Sequence, residues 1–202
     1  MKRLPSLIAF GIALLAWCFT FPVQDGYKIG DQARDFKLKN VNGKYFSLSG
    51  IENAKGYIVV FTCNNCPYAL AYQDRIIELN NKYAPLGYSV VAINPNDKDV
   101  SGSDGFENMQ KRAKDKKYLF PYLYDETQEI ARTYGATRTP HVFLLDQDRI
   151  VRYIGAIDDN HEEPEAVKEK YLENAIEALR NGREITVKET KALGCSIKWR
   201  KS

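Results

Sequence analysis

The order of segments along the chain predicts an α/β fold with a central mixed β-sheet flanked by helices. Two continuous apolar runs rich in β-branched residues, 57–62 and 88–93, are typical of strands that are buried on both faces. Segments with helical spacing separate the strands, so the elements alternate β-α-β-α-β-α-β-β-α. The chain has 202 residues, 44% of them hydrophobic and 27% charged, which suits one compact domain with short extensions.

The first half of the chain supplies a hairpin and the two central strands. Short apolar pulses over residues 26–48, broken by the turn dipeptide Asn42-Gly43, predict a small N-terminal β-hairpin. After the strand at 57–62 we expect a helix from Pro67 to Tyr83, since proline is tolerated in the first helical turn. The strand at 88–93 ends in a polar loop, NPNDKDVSGSDG.

The second half continues the alternation and ends in a tail. The patterns predict, in order, a charged helix at 106–117, a strand at 121–124, a helix at 127–134 closed by Gly135, a hairpin of 142–145 and 150–154, and an amphipathic helix at 163–180. Residues 183–202 show little periodicity and are expected to form a C-terminal tail.

The N-terminal segment predicts export. Lys2 and Arg3 precede an almost uncharged run from Leu4 to Val23, which is typical of a signal peptide. The run is also close to the shortest length that spans a bilayer, so an uncleaved membrane anchor through residues 4–23 stays open. A lipoprotein site at Cys18 is a third alternative. We therefore expect 1–24 as signal or anchor, 25–182 as the folded domain, 183–202 as the tail, and a periplasmic or other extracytoplasmic location.

The charge of the chain argues against a nucleic-acid partner. The formal net charge is only +3, and the charged stretch 111–117 mixes both signs. No aromatic platform or second basic stripe accompanies it. The sequence therefore predicts no nucleic-acid binding.

Cys63 and Cys66 form a C-x-x-C motif between the predicted strand at 57–62 and the predicted helix. A structural zinc site needs four ligands. The remaining candidates are Cys195, His141 and His161, and they are not in ligand spacing. A purely structural bridge would close a very short loop and gain little chain entropy. Redox chemistry fits the context best, and we expect no resident metal and no cofactor.

The position of the pair suggests a role for each cysteine. Cys63 would lie just ahead of the helix, where the positive end of the helix dipole lowers the pKa of a thiol. It would then attack a disulfide of a partner protein, and Cys66 would resolve the mixed disulfide. Thr139-Pro140 precedes a predicted strand, and a cis bond there would present the Thr139 backbone to an extended partner chain.

Together these motifs resemble the thioredoxin superfamily, in particular its redoxin branch of AhpC/TSA and peroxiredoxin-like proteins. The similar stretches are KIGDQARDFKLKNVNGKYFSL, FTCNNCPYALAYQDR, VVAINPND, FPYLYDETQEIARTYGATRTPHVFLLD, YIGAIDDN and the tail GCSIKWR. The resemblance implies a thioredoxin fold from Tyr27 to about Arg180. It also implies thiol–disulfide oxidoreductase or antioxidant activity in redox homeostasis, with protein disulfides or dithiols as substrates and an electron donor that the sequence does not identify.

Three departures from the family pattern favour disulfide exchange over peroxide reduction. Thioredoxins place a buried acid six positions ahead of the first cysteine, and here that residue is Tyr57, so the proton acceptor is unassigned. Peroxiredoxins place a threonine where Cys63 stands. Their late arginine is replaced by the Thr-Pro pair, with Arg138 lying early.

The alternatives left open are specific. The chain could be a peroxiredoxin-like thiol peroxidase that uses Cys66, because Cys66-Pro67 resembles the peroxidatic Cys-Pro. It could instead be a non-catalytic carrier of thiols or of a metal such as copper. Cys195 could be a third redox thiol, but we expect a tail cysteine outside the fold with a packing role.

Overall fold

The structure is a computed structural model that describes residues 26–201. The expected signal peptide or anchor at 1–24, and with it Cys18, lies outside the described residues. Within residues 26–201, no helix is long and apolar enough to cross a bilayer.

A mixed β-sheet forms the centre of the molecule, as predicted. Its strands, in the spatial order β2-β1-β5-β4-β3-β7-β8, are β1 (Leu38–Asn40), β2 (Tyr45–Phe46), β3 (Gly56–Phe61), β4 (Tyr88–Asn94), β5 (Tyr122–Tyr124), β7 (His141–Asp146) and β8 (Val151–Gly155). The pairs β3–β4 and β4–β5 are parallel, whereas β3–β7, β7–β8, β1–β5 and β1–β2 are antiparallel. β1 and β2 form the expected N-terminal hairpin, and Gly43 has a φ of +83° in its turn.

Helices cover both faces of the sheet. The helices are α1 (Pro67–Tyr83), α2 (Phe106–Asp115), α3 (Glu129–Tyr134) and α4 (Tyr171–Arg180). On one face α1 and α4 bury Tyr72, Ile76 and Ile176 against alternate residues of the central strands. On the other face α3 packs Ile130 and Tyr134 in a second cluster with the N-terminal segment. All residues of β3 are buried, which explains its unbroken apolar sequence.

The last helix is shorter than the sequence predicted. We expected it from residue 163, but it begins at Tyr171. Pro164 starts a single 3-10 turn instead, and Asp159 holds the following segment by accepting from the Lys168 backbone N–H (3.0 Å) and donating its own N–H to the Glu169 carbonyl (3.2 Å). These contacts use the backbone groups that a longer helix would need, so the prediction over 163–170 is wrong.

The C-terminal tail is part of the fold, which corrects the expectation for Cys195. Residues 195–196 form β9, which pairs antiparallel with a short strand, β6 (Arg138–Thr139), just before the Thr139-Pro140 bond. Ile185 is buried with the α1–α4 cluster, and Ile197 is buried with the α3 cluster. The tail thus contributes to both layers of the core although it shows no clear periodicity.

Candidate functional site

The two cysteines of the motif lie between the end of β3 and the start of α1. β3 ends at Phe61 and α1 begins at Pro67, with Cys66 as the N-cap residue. Cys63 and Cys66 are only 7% and 5% exposed, and they form a small cluster with Ala69. The strand–motif–helix arrangement predicted from the sequence is therefore present.

Thr139 brings the distant part of the predicted site to the cysteines. The antiparallel pairing of β3 with β7 sets Phe61 opposite His141, so the residues before β7 lie beside the motif. The Thr139-Pro140 bond is cis, which is the isomer that would present the Thr139 backbone. The Cys63 Sγ lies 3.2 Å from the Thr139 hydroxyl, and the Cys66 Sγ lies 3.2 Å from the Thr139 carbonyl oxygen.

Cys195 joins this site through a disulfide with Cys66. Their Cα atoms are 6.0 Å apart although the two residues are separated by 129 positions in the sequence. The backbone N–H of Cys195 points to the Cys66 sulfur at 3.3 Å. Of the three cysteines in the described part of the chain, Cys63 alone is outside a disulfide. The structure thus brings together all five residues that the sequence singled out.

The approach of the tail to β6 is close enough to require a glycine. An added Cβ on Gly194 would lie 2.2 Å from the Thr139 carbonyl oxygen and 2.9 Å from the Pro140 nitrogen, well inside contact distance. The Gly194 carbonyl in turn accepts a 2.8 Å hydrogen bond from the Arg138 guanidinium. Arg138 is therefore engaged with the tail.

Asn64, inside the motif, is held on every side. Its backbone N–H donates to the Asp104 carboxylate at 2.6 Å, and its carbonyl accepts from the Arg112 guanidinium at 2.8 Å. Its side-chain amide donates to the Ser103 carbonyl at 2.9 Å and accepts from the Tyr122 hydroxyl at 3.0 Å. These four hydrogen bonds of Asn64 fix the loop that carries Cys63.

Asp104 is a functional candidate that the sequence reasoning missed. It is fully buried, in a 3-10 turn at Gly102–Asp104, and its carboxylate also accepts from Asn94, Asn96 and Ser101. Its carboxylate binds the backbone N–H of Asn64 in the motif, whereas the position six residues ahead of Cys63 is occupied by Tyr57. The feature of the sequence that could have revealed Asp104 is the polar loop between β4 and α2, because the carboxylate near the end of this loop binds the motif.

The pKa of Cys63 is raised, not lowered as the sequence suggested. Burial is the main cause, and the negative charge of Asp104 adds to it. Hydrogen bonds from the Thr139 hydroxyl and from the backbone of residues 65 and 66 act in the opposite direction but do not outweigh it. The expectation is wrong because the effects of burial and of the Asp104 charge exceed those of the donors at the start of the helix.

His141 lies on the other side of the cis bond, and no charged side chain among residues 26–201 pairs with it. It is 8% exposed, and burial lowers its pKa to about 4. Its Nδ1 accepts a long hydrogen bond from the Thr137 N–H at 3.4 Å. Within residues 26–201, no cluster of three or more histidine, cysteine or acidic side chains is arranged to hold a metal ion.

Comparison with known proteins places the geometry in a family context. A thiol-disulfide oxidoreductase ResA of Bacillus thuringiensis subsp. konkukian is 27% identical over 143 residues, which cover 69% of this chain and 75% of that protein. A ResA of Bacillus cereus is 27% identical over 131 residues, covering 63% and 69% of the two chains. The expected enzyme class, thiol–disulfide oxidoreductase, is confirmed at this level.

Solved structures show the same architecture. The crystal structure of an uncharacterized conserved protein from Geobacillus kaustophilus has a TM-score of 0.81 at 39% identity and covers 87% of this chain and 94% of its own. A thiol:disulfide interchange protein of the thioredoxin family from Chlorobium tepidum has a TM-score of 0.53 at 22% identity, over 64% and 87% of the chains, and supports the thioredoxin fold alone. The AhpC/TSA family model matches residues 29–154, and the chain belongs to the AhpC/TSA family.

Proposed function

We propose that the chain is an exported thiol–disulfide oxidoreductase that exchanges its Cys63–Cys66 pair with disulfides of partner proteins. The observation that carries this proposal is the placement of both sulfurs against Thr139 at the start of α1, with 3.2 Å contacts to its hydroxyl and its carbonyl oxygen. Residues 1–24, with their basic start and apolar run, support export and agree with either a cleaved signal or an anchor.

In the forward direction the Cys63 thiolate attacks one sulfur of a partner disulfide, forming a mixed disulfide and releasing the other partner sulfur as a thiolate. The Cys66 thiolate then attacks the Cys63 sulfur, which forms the Cys63–Cys66 bond and releases the reduced partner. A thiol reductant of the compartment restores the dithiol. The raised pKa of Cys63 opposes formation of the thiolate that attacks the partner. We therefore expect its ionisation to depend on how a docked partner changes the interactions of Cys63 with Asp104 and Thr139.

Docking of the partner is assigned to the edge formed by Thr139 and Pro140. An extended chain bound there would pair with the Thr139 backbone, as in recognition by strand addition. In the structure the tail holds this edge, with Cys195 paired to Thr139. A partner would therefore have to replace residues 195–196 at β6.

Peroxide reduction at Cys66 is a second candidate function. The observation in its favour is the Cys66–Cys195 disulfide, since an oxidised Cys66 would need a second thiol to resolve it. Against it, Arg138, which lies close in sequence to the position of the peroxiredoxin arginine, donates a hydrogen bond to the Gly194 carbonyl.

Stopped-flow kinetics on the reduced full chain separates the two functions. All variants carry Cys18→Ser, and thiol loss is followed with a model disulfide and, separately, with hydrogen peroxide. Fast reaction with the disulfide that is lost in Cys63→Ser, beside slow reaction with peroxide, is the result expected for exchange. Fast reaction with peroxide that survives Cys63→Ser and is lost in Cys66→Ser would establish the peroxidase instead.

A further inference from the structure

Three sulfur atoms meet beside Thr139, and they differ in exposure. Cys63 and Cys66 are buried, whereas Cys195 is half-buried and is the most exposed residue of the three. An external thiol can react only with a sulfur that it can reach. In this state of the protein, the accessible end of the disulfide is Cys195.

We propose that residues 194–196 act as a built-in substrate segment, and that Cys195 is a third redox-active cysteine that transfers the disulfide between external thiols and Cys66. The proposal rests on the exchange chemistry of Cys63 and Cys66 proposed above, and it adds a residue and a route to that chemistry.

The tail binds as an extended partner chain would. Cys195 is the residue paired with Thr139, and Ser196 is paired with Arg138, in antiparallel register. Strand addition at an open edge uses the same backbone pairing. The Cys195 sulfur therefore takes the position at which a docked partner would present its own cysteine.

The fold anchors the tail on both sides of this strand. Before it, the Thr190 N–H donates to the Ile154 carbonyl at 2.9 Å, and the Thr190 hydroxyl bonds Tyr153 at 2.7 Å. After it, the Ile197 N–H donates to the Thr137 carbonyl at 3.1 Å. Because both flanks are fixed, Cys195 stays close to Cys66 after the disulfide opens, which favours the intramolecular reaction over an external one.

Cys66 is suited to leave when Cys195 is attacked. It is the N-cap residue of α1, a helix of 17 residues, and the positive end of the helix dipole stabilises a thiolate there. The Cys195 N–H, 3.3 Å from the Cys66 sulfur, adds a donor. An external thiolate thus forms a bond to the Cys195 sulfur, the Cys66–Cys195 bond breaks, and Cys66 takes the electron pair.

The internal transfer needs no added oxidant or reductant. The Cys63 thiol loses its proton to solvent, and its thiolate attacks the Cys66 sulfur. The Cys63–Cys66 bond forms, the Cys66–Cys195 bond breaks, and Cys195 leaves as a thiolate that takes up a proton. The number of disulfides is unchanged, and the reverse reaction returns the Cys63 thiol that a partner disulfide requires.

Gly194 sets which chains this edge accepts. A side chain at the residue before the cysteine would collide with the Thr139 carbonyl oxygen and the Pro140 nitrogen. The edge therefore selects an extended chain with glycine directly before its cysteine, the Gly-Cys order found in the tail itself.

The test uses the oxidised full chain with Cys18→Ser, mixed with glutathione, quenched in acid over time, alkylated and mapped by mass spectrometry without reduction. We expect Cys66–Cys195 as the main disulfide at the start and the first glutathione adduct on Cys195, with Cys66 and Cys63 then alkylated as free thiols. In Gly194→Ala we expect the ratio of Cys66–Cys195 to Cys63–Cys66 to fall at least tenfold. Ser196→Ala, whose side chain is exposed beside the same cysteine, is the matched control and should keep the wild-type ratio.

The outcomes separate this proposal from the one on which it rests. A first adduct on Cys63, with Cys63–Cys66 as the starting disulfide in both wild type and Gly194→Ala, overturns the role of the tail and leaves exchange by the motif in place. Absence of any disulfide or adduct on Cys63 and Cys66 overturns both. Cys195→Ser is a second variant that tests the proposal if Gly194→Ala misfolds. It should form the Cys63–Cys66 disulfide directly and never carry glutathione on Cys66.

Discussion

The two sides of the C-x-x-C motif are held in different ways. On the loop side, Asn64 is tied to Asp104 and Ser103 by hydrogen bonds within one buried network. On the tail side, residues 194–197 are held by a two-residue strand pair, a bond from Arg138 and a disulfide that chemistry can open. The difference indicates that the loop side sets the position and charge environment of Cys63, while the tail side is the part that can change during exchange.

Removal of the Asp104 carboxylate should have the largest effect. Asp104→Ala leaves several buried donors without an acceptor, and each such group costs about 1–3 kcal/mol. We expect a loss of about 4 kcal/mol in the free energy of unfolding, measured by urea denaturation of the reduced protein. Asp99→Ala, at an exposed side chain of the same loop, is the control. A loss equal to that of the control would show that the loop side is not fixed by this network.

Acid should weaken the fold through His141. Its folded pKa of about 4 lies below the ordinary value of 6.5, so the unfolded chain binds more protons between these values. Stability contributed by neutral His141 is present above pH 6.5 and is lost as the pH falls towards 4, by about 3 kcal/mol in full. Denaturation at a series of pH values should show this slope, and His141→Gln should remove it. His161→Gln is the control, and an unchanged slope in His141→Gln would contradict the assignment.

Neutralising Asp104 should lower the pKa of Cys63. Asp104→Asn removes the charge that adds to the effect of burial, and each unit of pKa change alters the thiolate fraction tenfold. The pH dependence of Cys63 alkylation in the reduced protein, located by mass spectrometry, measures the change. Asp99→Asn should leave that dependence as it is in the wild type. A pKa of Cys63 that stays unchanged in Asp104→Asn would show that the Asp104 charge does not act on Cys63.

The smallest effect is expected at Arg138. Arg138→Ala removes the hydrogen bond to the Gly194 carbonyl, worth about 1 kcal/mol, which corresponds to a roughly fivefold change in an equilibrium. Hydrogen exchange at the Ile197 amide should accelerate by that factor, while amides of β3 keep their rates. Arg152→Ala, which removes an ion pair with Asp146 at another part of the sheet, serves as the control. Equal rates in both variants would show that the tail does not depend on this bond.

The same contrast separates what the sequence could predict from what it could not. The strands at 56–61 and 88–94, the helix after Pro67 and the Thr139-Pro140 junction follow from local patterns, because burial on both faces and proline chemistry leave direct traces in the sequence. β9 has only two residues, and its pairing with β6 depends on the tertiary position of the tail. Asp104 reads as one more polar residue of a loop until the fold buries it. For the same reason, the raised pKa of Cys63 was not foreseeable from its place near a helix.

One side chain spans both halves of the site. The amide of Asn96 donates to the Asp104 carboxylate at 2.9 Å, and its oxygen accepts from the Lys198 N–H at 2.8 Å. Asn96 is 3% exposed, so neither bond is readily exchanged for one to water. A change in charge at Cys63 and the seating of the tail are therefore expected to be thermodynamically linked. Whatever favours one state of the tail should shift the ionisation of Cys63, and by reciprocity the ionisation of Cys63 should shift the tail by the same free energy.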